Sequence, residues 1–289
     1  MIKKAILLFL DGVGIHHNKQ HTTITINELP VLHNVVHKES TPIDAIMGVP
    51  GTPQSATGQT SLLCGINAQK LAGRHEEGFP GPLLKKLIAQ ENIFSKLARI
   101  NRKSTFANGY WLTDIHNIDR RLKRRMSVTT VAALSGIGSV RTMEFMKRGE
   151  AVYQDITHEI LRQRGEEIPA ITEEEAAKRL VAISGDFDFT LFEYFQSDMA
   201  GHGQDPERVK QVLMTLERFI GALLQAIDFS KCTLIITSDH GNIEDLSTPR
   251  HTRNPVPYFV RGPGREILTR NVRDLSDITP RILEWFSEG

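Results

Sequence analysis

The stretch TLIITSDHGN, residues 233–242, sets an apolar run directly against an acid–imidazole pair. Leu234, Ile235 and Ile236 read as a strand buried on both faces. Asp239 and His240 follow at once. A carboxylate and an imidazole released at a strand end are a donor set for a divalent metal. Gly241 permits the sharp turn that would let both reach one ion. The segment PRHTRNPVP, residues 249–257, then brings a further histidine, His251.

The same arrangement recurs elsewhere. KAILLFL (4–10) runs into Asp11, with Gly12 and Gly14 behind it, and FDFTLFEYF (187–195) precedes Asp198 and His202. STFAN (104–108) and VPYFV (256–260) are the other strand candidates. Helices are predicted over 55–64, 83–99, 172–184, 206–227 and 276–287. The helix at 206 has Asp205 as cap and Pro206 in its first turn, with Val209, Val212, Leu213, Leu216, Phe219, Ile220 and Leu223 on one face. Strands alternating with helices predict an α/β fold, a mostly parallel central sheet with helices on both faces. Ligands in such folds gather beyond the carboxyl ends of the strands. Asp11, Asp198, Asp239 and His240 all lie there, so one shared site is expected.

The individual pieces are weaker than their sum. An Asp-Gly step such as Asp11-Gly12 is usually only a turn. Asp198 and His202 stand at i, i+4, which a helix would align, but Gly201 and Gly203 favour a wound loop. Ser55 lies in GTPQSATGQTSLLCG at a predicted helix start, where a hydroxyl is either an ordinary cap or sits beside free N–H groups that favour an anion. Thr57, Thr60 and Ser61 compete with it as the reactive hydroxyl. His16, His17, His21, His33 and His37 show no ligand spacing.

With 289 residues, 40% hydrophobic, the chain can bury one large core or two modest ones. Lys and Arg number 35 against 34 Asp and Glu, a net charge of +1 that gives no reason to expect nucleic acid as a partner. The two cysteines, Cys64 and Cys232, read as reduced core thiols of a cytoplasmic protein. MIKKAILLFLDG resembles the start of a signal peptide, but its apolar stretch is too short and Asp11 interrupts it. No run approaches a membrane span. Residues 111–171 carry a basic run, RRLKRR (120–125), and a Gly-rich patch, SGIGS (135–139). They read as a small inserted cap on a core formed by 1–110 and 172–289. The basic run is either a solvated face or a grip for a substrate anion.

Taken together, LFLDG (8–12), SATG (55–58), SDMAGHG (197–203), TSDHGN (237–242), HTRNPVP (251–257) and LSDITPRILEWF (275–286) resemble the alkaline phosphatase superfamily of metalloenzymes. The likeness is strongest to its cofactor-independent phosphoglycerate mutase and phosphopentomutase branch. The pieces keep the family's order and run from one end of the chain to the other. The resemblance implies an alkaline-phosphatase-like core holding two divalent metal ions, Mn2+ or Zn2+. One would be held by Asp11, Ser55, Asp239 and His240, the other by Asp198, His202 and His251. It implies Ser55 as a nucleophile that forms a phosphoserine. Two departures bear on substrate: the branch carries a much larger inserted domain, and where its nucleophile turn has an acidic residue and a histidine this chain has Ala56 and Gln59.

The leading expectation is therefore a metal-dependent phosphohydrolase acting on a small phosphorylated metabolite. A phosphomutase is the alternative, and the short insertion tilts the balance towards hydrolysis, since a mutase must exclude water from its intermediate. A sulfatase is disfavoured, because the nucleophile turn lacks the Cys/Ser-x-Pro-x-Arg pattern. A non-catalytic metal-binding module with the same fold is the reading from a different class, and whether protein purified without chelator carries or takes up Mn or Zn is the discriminating observation.

Overall fold

Strand β1 (Lys4–Leu10) is the axis of the molecule. Its side chains alternate between two apolar clusters, Ala5, Leu7 and Phe9 in one, Ile6, Leu8 and Leu10 in the other. A strand apolar at every position has no solvated face, so layers must cover it on both sides. The computed structural model, which describes residues 3–18, 21–112 and 125–288, shows that arrangement. Residues 120–124 of the basic run lie outside the described residues.

The six strands of the main sheet run in the order β2-β8-β7-β1-β6-β3. Here β2 is Thr41–Ile43, β3 Ser104–Phe106, β6 Phe189–Tyr194, β7 Cys232–Thr237 and β8 Val256–Arg261. β1 pairs in parallel with both β6 and β7, and β3 joins β6 in the same sense. β8 pairs antiparallel with β7 and with β2, so it is the reversed strand of the sheet. The mostly parallel α/β sheet is thus as expected, with β2 an addition that the sequence did not reveal.

One face is covered by the helices Ser55–Cys64, Pro82–Glu91, Ile93–Arg99, Val128–Gly136 and Ile278–Ser287. The other is covered by Glu173–Gly185 and Pro206–Ala226, with the short helix Pro30–Asn34 against them. Asp205 caps the helix at Pro206 by accepting from Glu207 N, and Thr172 caps the other through Glu175 N, with Glu173, Glu174 and Glu175 at the positive end of the helix dipole. The single helix predicted over 83–99 is two. Asn92 breaks it because its side chain caps the second by accepting from Ser95 N.

The packing divides the segment between β3 and Glu173. The helix Val128–Gly136 places Val128, Ala132 and Ala133 in the main core beside Leu84, Ile88 and Phe94. Met143, Met146, Ala151, Tyr153, Leu161 and Ile168 form a small cluster of their own, next to a two-stranded parallel sheet of β4 (Asn108–Gly109) and β5 (Val152–Tyr153). Among the described residues no helix is long and apolar enough to cross a membrane. Leu216, fully buried between the helix at 206 and the sheet, tests this packing away from any polar site. Leu216→Ala is expected to lower unfolding free energy by about 3 kcal/mol, read from denaturant midpoints at unchanged slope.

Candidate metal centre

The three central parallel strands end side by side, and each delivers a carboxylate. Asp11 follows β1 directly, Asp239 follows β7, and Asp198 sits in the helix Gln196–Gly203 just beyond β6. That helix corrects the expected wound loop. Asp198 and His202 do share one helical face, and Gly201 is accommodated because Asn242 packs where its side chain would be. Gly12 follows the same logic at the end of β1. It has φ +74°, and a Cβ there would lie 2.8 Å from Asp198 Oδ1. The Asp-Gly step therefore lets two carboxylates approach.

The structure brings all seven sequence-predicted residues together. Ser55 Oγ lies 3.0 Å from His240 Nε2. The same nitrogen is 3.3 Å from Asp11 Oδ1 and 3.4 Å from Asp239 Oδ2. On the other flank Asp198 lies 3.4 Å from the Nε2 atoms of both His202 and His251. The His240 and His251 rings stack with centroids 3.6 Å apart. Two groups emerge that could hold a metal ion, Asp11–Asp239–His240 and Asp198–His240–His251. His240 belongs to both, so it joins the two halves that the resemblance kept separate.

The competing hydroxyls separate cleanly. Thr57, Thr60 and Ser61 are buried and donate to Gln54 O, Ala56 O and Thr57 O along their own helix. Ser55 caps nothing and faces the cluster instead.

The histidines are aimed. The Nδ1 atoms of His202, His251 and His240 face backbone carbonyls, of Pro249 at 2.8 Å, Pro53 at 3.0 Å and Gly241 at 3.4 Å. A carbonyl only accepts, so each Nδ1 carries the proton and each Nε2 keeps its lone pair for the centre. The Nε2 atoms of His202 and His251 face each other at 2.9 Å, a contact that needs a cation or proton beside it.

The electrostatics have the same cause. Asp11 and Asp239 are buried, and Asp11 Oδ1 and Asp239 Oδ2 accept no hydrogen bond. Burial and the neighbouring carboxylates push Asp11 well above the ordinary range, and burial and Asp198 push Asp239 up to about 7. Burial drives His240 down to about 3. Burial also opposes the ionisation of Asp198 and His251, yet their contact holds Asp198 low and His251 high. Among the described residues histidines are the one ionisable base within ion-pair distance of these carboxylates. Orphaned acids beside neutral imidazoles fit a divalent cation.

One organising residue was missed by the sequence reading. Glu244, fully buried, accepts from Gly14 N (2.9 Å), Asn242 N (2.7 Å), Thr252 Oγ1 (2.5 Å) and Asn254 Nδ2 (3.0 Å). It ties the loop after β1 to the Asp239–His240 loop and to the His251 segment. The signal lay in the polar residues of HTRN, two of which bond Glu244 rather than any ligand.

The chain belongs to the Metalloenzyme superfamily, whose profile matches residues 3–287, and divalent metal binding follows from that membership. A 2,3-bisphosphoglycerate-independent phosphoglycerate mutase of Ehrlichia ruminantium is 35% identical over 105 residues, 34% of this chain and 21% of that protein. The namesake enzyme of Halobacterium salinarum is 36% identical over 125 residues, 40% of this chain and 24% of that protein. The matched stretches thus span about a quarter of these relatives or less. The fold is that of alkaline phosphatases. The enzyme of the Antarctic bacterium TAB5 superposes with a TM-score of 0.55 at 15% identity, covering 98% of this chain and 97% of that one. The PH0037 protein of Pyrococcus horikoshii gives 0.56 at 16%, covering 99% and 97%.

Metal-free protein should show the strain of these acids. The folded pKa of Asp239 lies above its unfolded 3.8, so its contribution falls as pH rises towards about 7. Asp11 works in the same direction, as does Glu193, raised by burial from 4.5 to about 7. His240 opposes them, losing stability as pH falls below 6.5 towards about 3. Three acids outweigh one imidazole, so chelated protein is expected to melt lower at pH 7 than at pH 5. Asp239→Asn should raise the melting temperature of chelated protein at pH 8 by at least about 2 °C while weakening metal binding, measured by calorimetry. A lower melting temperature in that variant would contradict the assignment.

Proposed function

We propose that this protein is a metal-dependent phosphoryl-transfer enzyme, a phosphohydrolase of a small phosphorylated metabolite, with Ser55 as its nucleophile. The observation that carries the reading is the Ser55 hydroxyl aimed at a buried cluster in which Asp11 Oδ1 and Asp239 Oδ2 accept no hydrogen bond, with Ser55 Oγ at 3.0 Å from His240 Nε2. Asp11, Ser55, Asp239 and His240 would hold one divalent ion, and Asp198, His202 and His251 the other, with manganese or zinc suiting a mixed carboxylate and imidazole set. Bound there, such ions lower the pKa of the serine hydroxyl and neutralise charge on the phosphoryl group.

The chain's own groups supply the rest. Ser55 is the first residue of the helix Ser55–Cys64, whose positive end favours a phosphate there. Gln59, one turn on, donates to Asp11 Oδ2 at 3.1 Å and fixes that carboxylate's orientation. Ser55 Oγ bonds phosphorus as the phosphorus–ester oxygen bond breaks, and the serine hydroxyl proton passes through water to the departing oxygen, which leaves as an alcohol. Water then attacks the phosphoserine and releases phosphate. Asp11, Asp239 and His240 are shielded from bulk solvent by burial, while His202 is exposed.

A second reading, a phosphomutase, draws support from the names of the mutases matched above. It differs only in the last step, where a second hydroxyl of the substrate takes the phosphoryl group back. A phosphoester panel with Mn2+ or Zn2+, its products placed by NMR, separates the two: inorganic phosphate marks hydrolysis, a moved phosphate marks the mutase. Ser55→Ala should cut turnover by at least about a thousandfold with the fold and metal uptake retained. Wild-type rates in that variant would remove Ser55 from the mechanism. His251→Ala should reduce bound metal by about one equivalent, read by elemental analysis, and unchanged stoichiometry would refute its role.

A further inference from the structure

A cavity of about 500 Å3 opens beside Ser55 and Asp11, large enough for a small organic group. Its walls include the rings of Phe79, Tyr110 and Trp111. Tyr110 is held in place by a 2.5 Å hydrogen bond between its hydroxyl and Thr130 Oγ1. Phe79 is 50% exposed, Trp111 48% and Met199 58%. These are three of the six exposed large apolar residues among the described ones, they come from separate segments of chain, and all three line this cavity. Scattered apolar exposure is ordinary, but convergence on a cavity that ends at a candidate nucleophile marks a binding surface.

Glu193, on β6 and 5% exposed, lines the same cavity with Oε2 accepting from Thr129 Oγ1 at 2.6 Å. Among the described lining residues the charged groups other than the candidate metal ligands Asp11 and Asp198 are Glu193 and the exposed Arg125. A flat uncharged ring would stack on Trp111 and Phe79 and leave only the phosphoryl group at the charged end.

We infer that the group esterified to the phosphoryl is a ring-bearing alcohol, and that Phe79 and Trp111 select it. The inference rests on the phosphoryl-transfer reading above and names the substrate class for it.

The test is binding rather than turnover. Metal-loaded, full-length Ser55→Ala protein is titrated by calorimetry with inorganic phosphate, benzylphosphonate and 3-phosphoglycerate. Benzylphosphonate should bind at least about tenfold more tightly than either of the others. Adding Trp111→Ala and Phe79→Ala, both half-exposed positions that the fold does not need, should bring benzylphosphonate to within about threefold of phosphate and leave phosphate affinity unchanged. Phosphate binding without a preference for the ring, or tighter binding of 3-phosphoglycerate, would overturn the substrate class alone. Failure of all three to bind would overturn the phosphoryl-transfer reading together with it.

Discussion

The structure depends on keeping two carboxylates, Asp11 and Asp239, buried side by side at the ends of adjacent parallel strands. The pairing of β1 with β7 brings Phe9 opposite Thr237, so the chains leave the sheet in register and the two acids emerge together. Nothing among the described side chains neutralises them except histidines that burial and geometry keep poor in protons. Such an arrangement is costly in an empty protein and favourable around a cation. Destabilisation at this point is what a metal-binding site requires.

The surrounding architecture serves that constraint. Glu244 is a buried acid of the opposite kind, with every oxygen engaged, and its bonds hold three loops in one arrangement. Gly241 lies so close to Glu244 and Thr252 that a side chain there would collide with both. Backbone carbonyls of Pro53, Pro249 and Gly241 fix the protonated side of each imidazole. These contacts fix the candidate ligand atoms in one arrangement, and such fixing would lower the cost of binding an ion.

Much of this was legible in the sequence, for physical reasons. Apolar runs of five to seven residues identify strands buried on both faces, and in β1, β6 and β7 the acids that follow mark the carboxyl edge. Period and caps identified the helix at Pro206, whose Asp205 accepts as expected. The sequence was silent where contacts over long separations decide. Whether Ser55 caps its helix depends on His240, 185 residues away. The helix over Gln196–Gly203 was obscured because its glycines are explained by Asn242, not by local propensity. Glu244 looked like any surface acid, since its four partners lie in three separate loops. The short strand β2 has only three residues and takes its identity from β8.

The charged centre and the aromatic cavity meet at Ser55, and the proposed chemistry needs both, with cations at one end and a ring at the other. The cations are the more fundamental half, because without them the buried acids have no counter-charge. Anomalous diffraction from a crystal equilibrated with Mn2+ or Zn2+ tests this most directly. The account predicts two peaks, one against Asp11, Asp239 and Ser55 and one against Asp198, His202 and His251, with His240 between them. Crystals that diffract well yet show no anomalous density at these residues would contradict it.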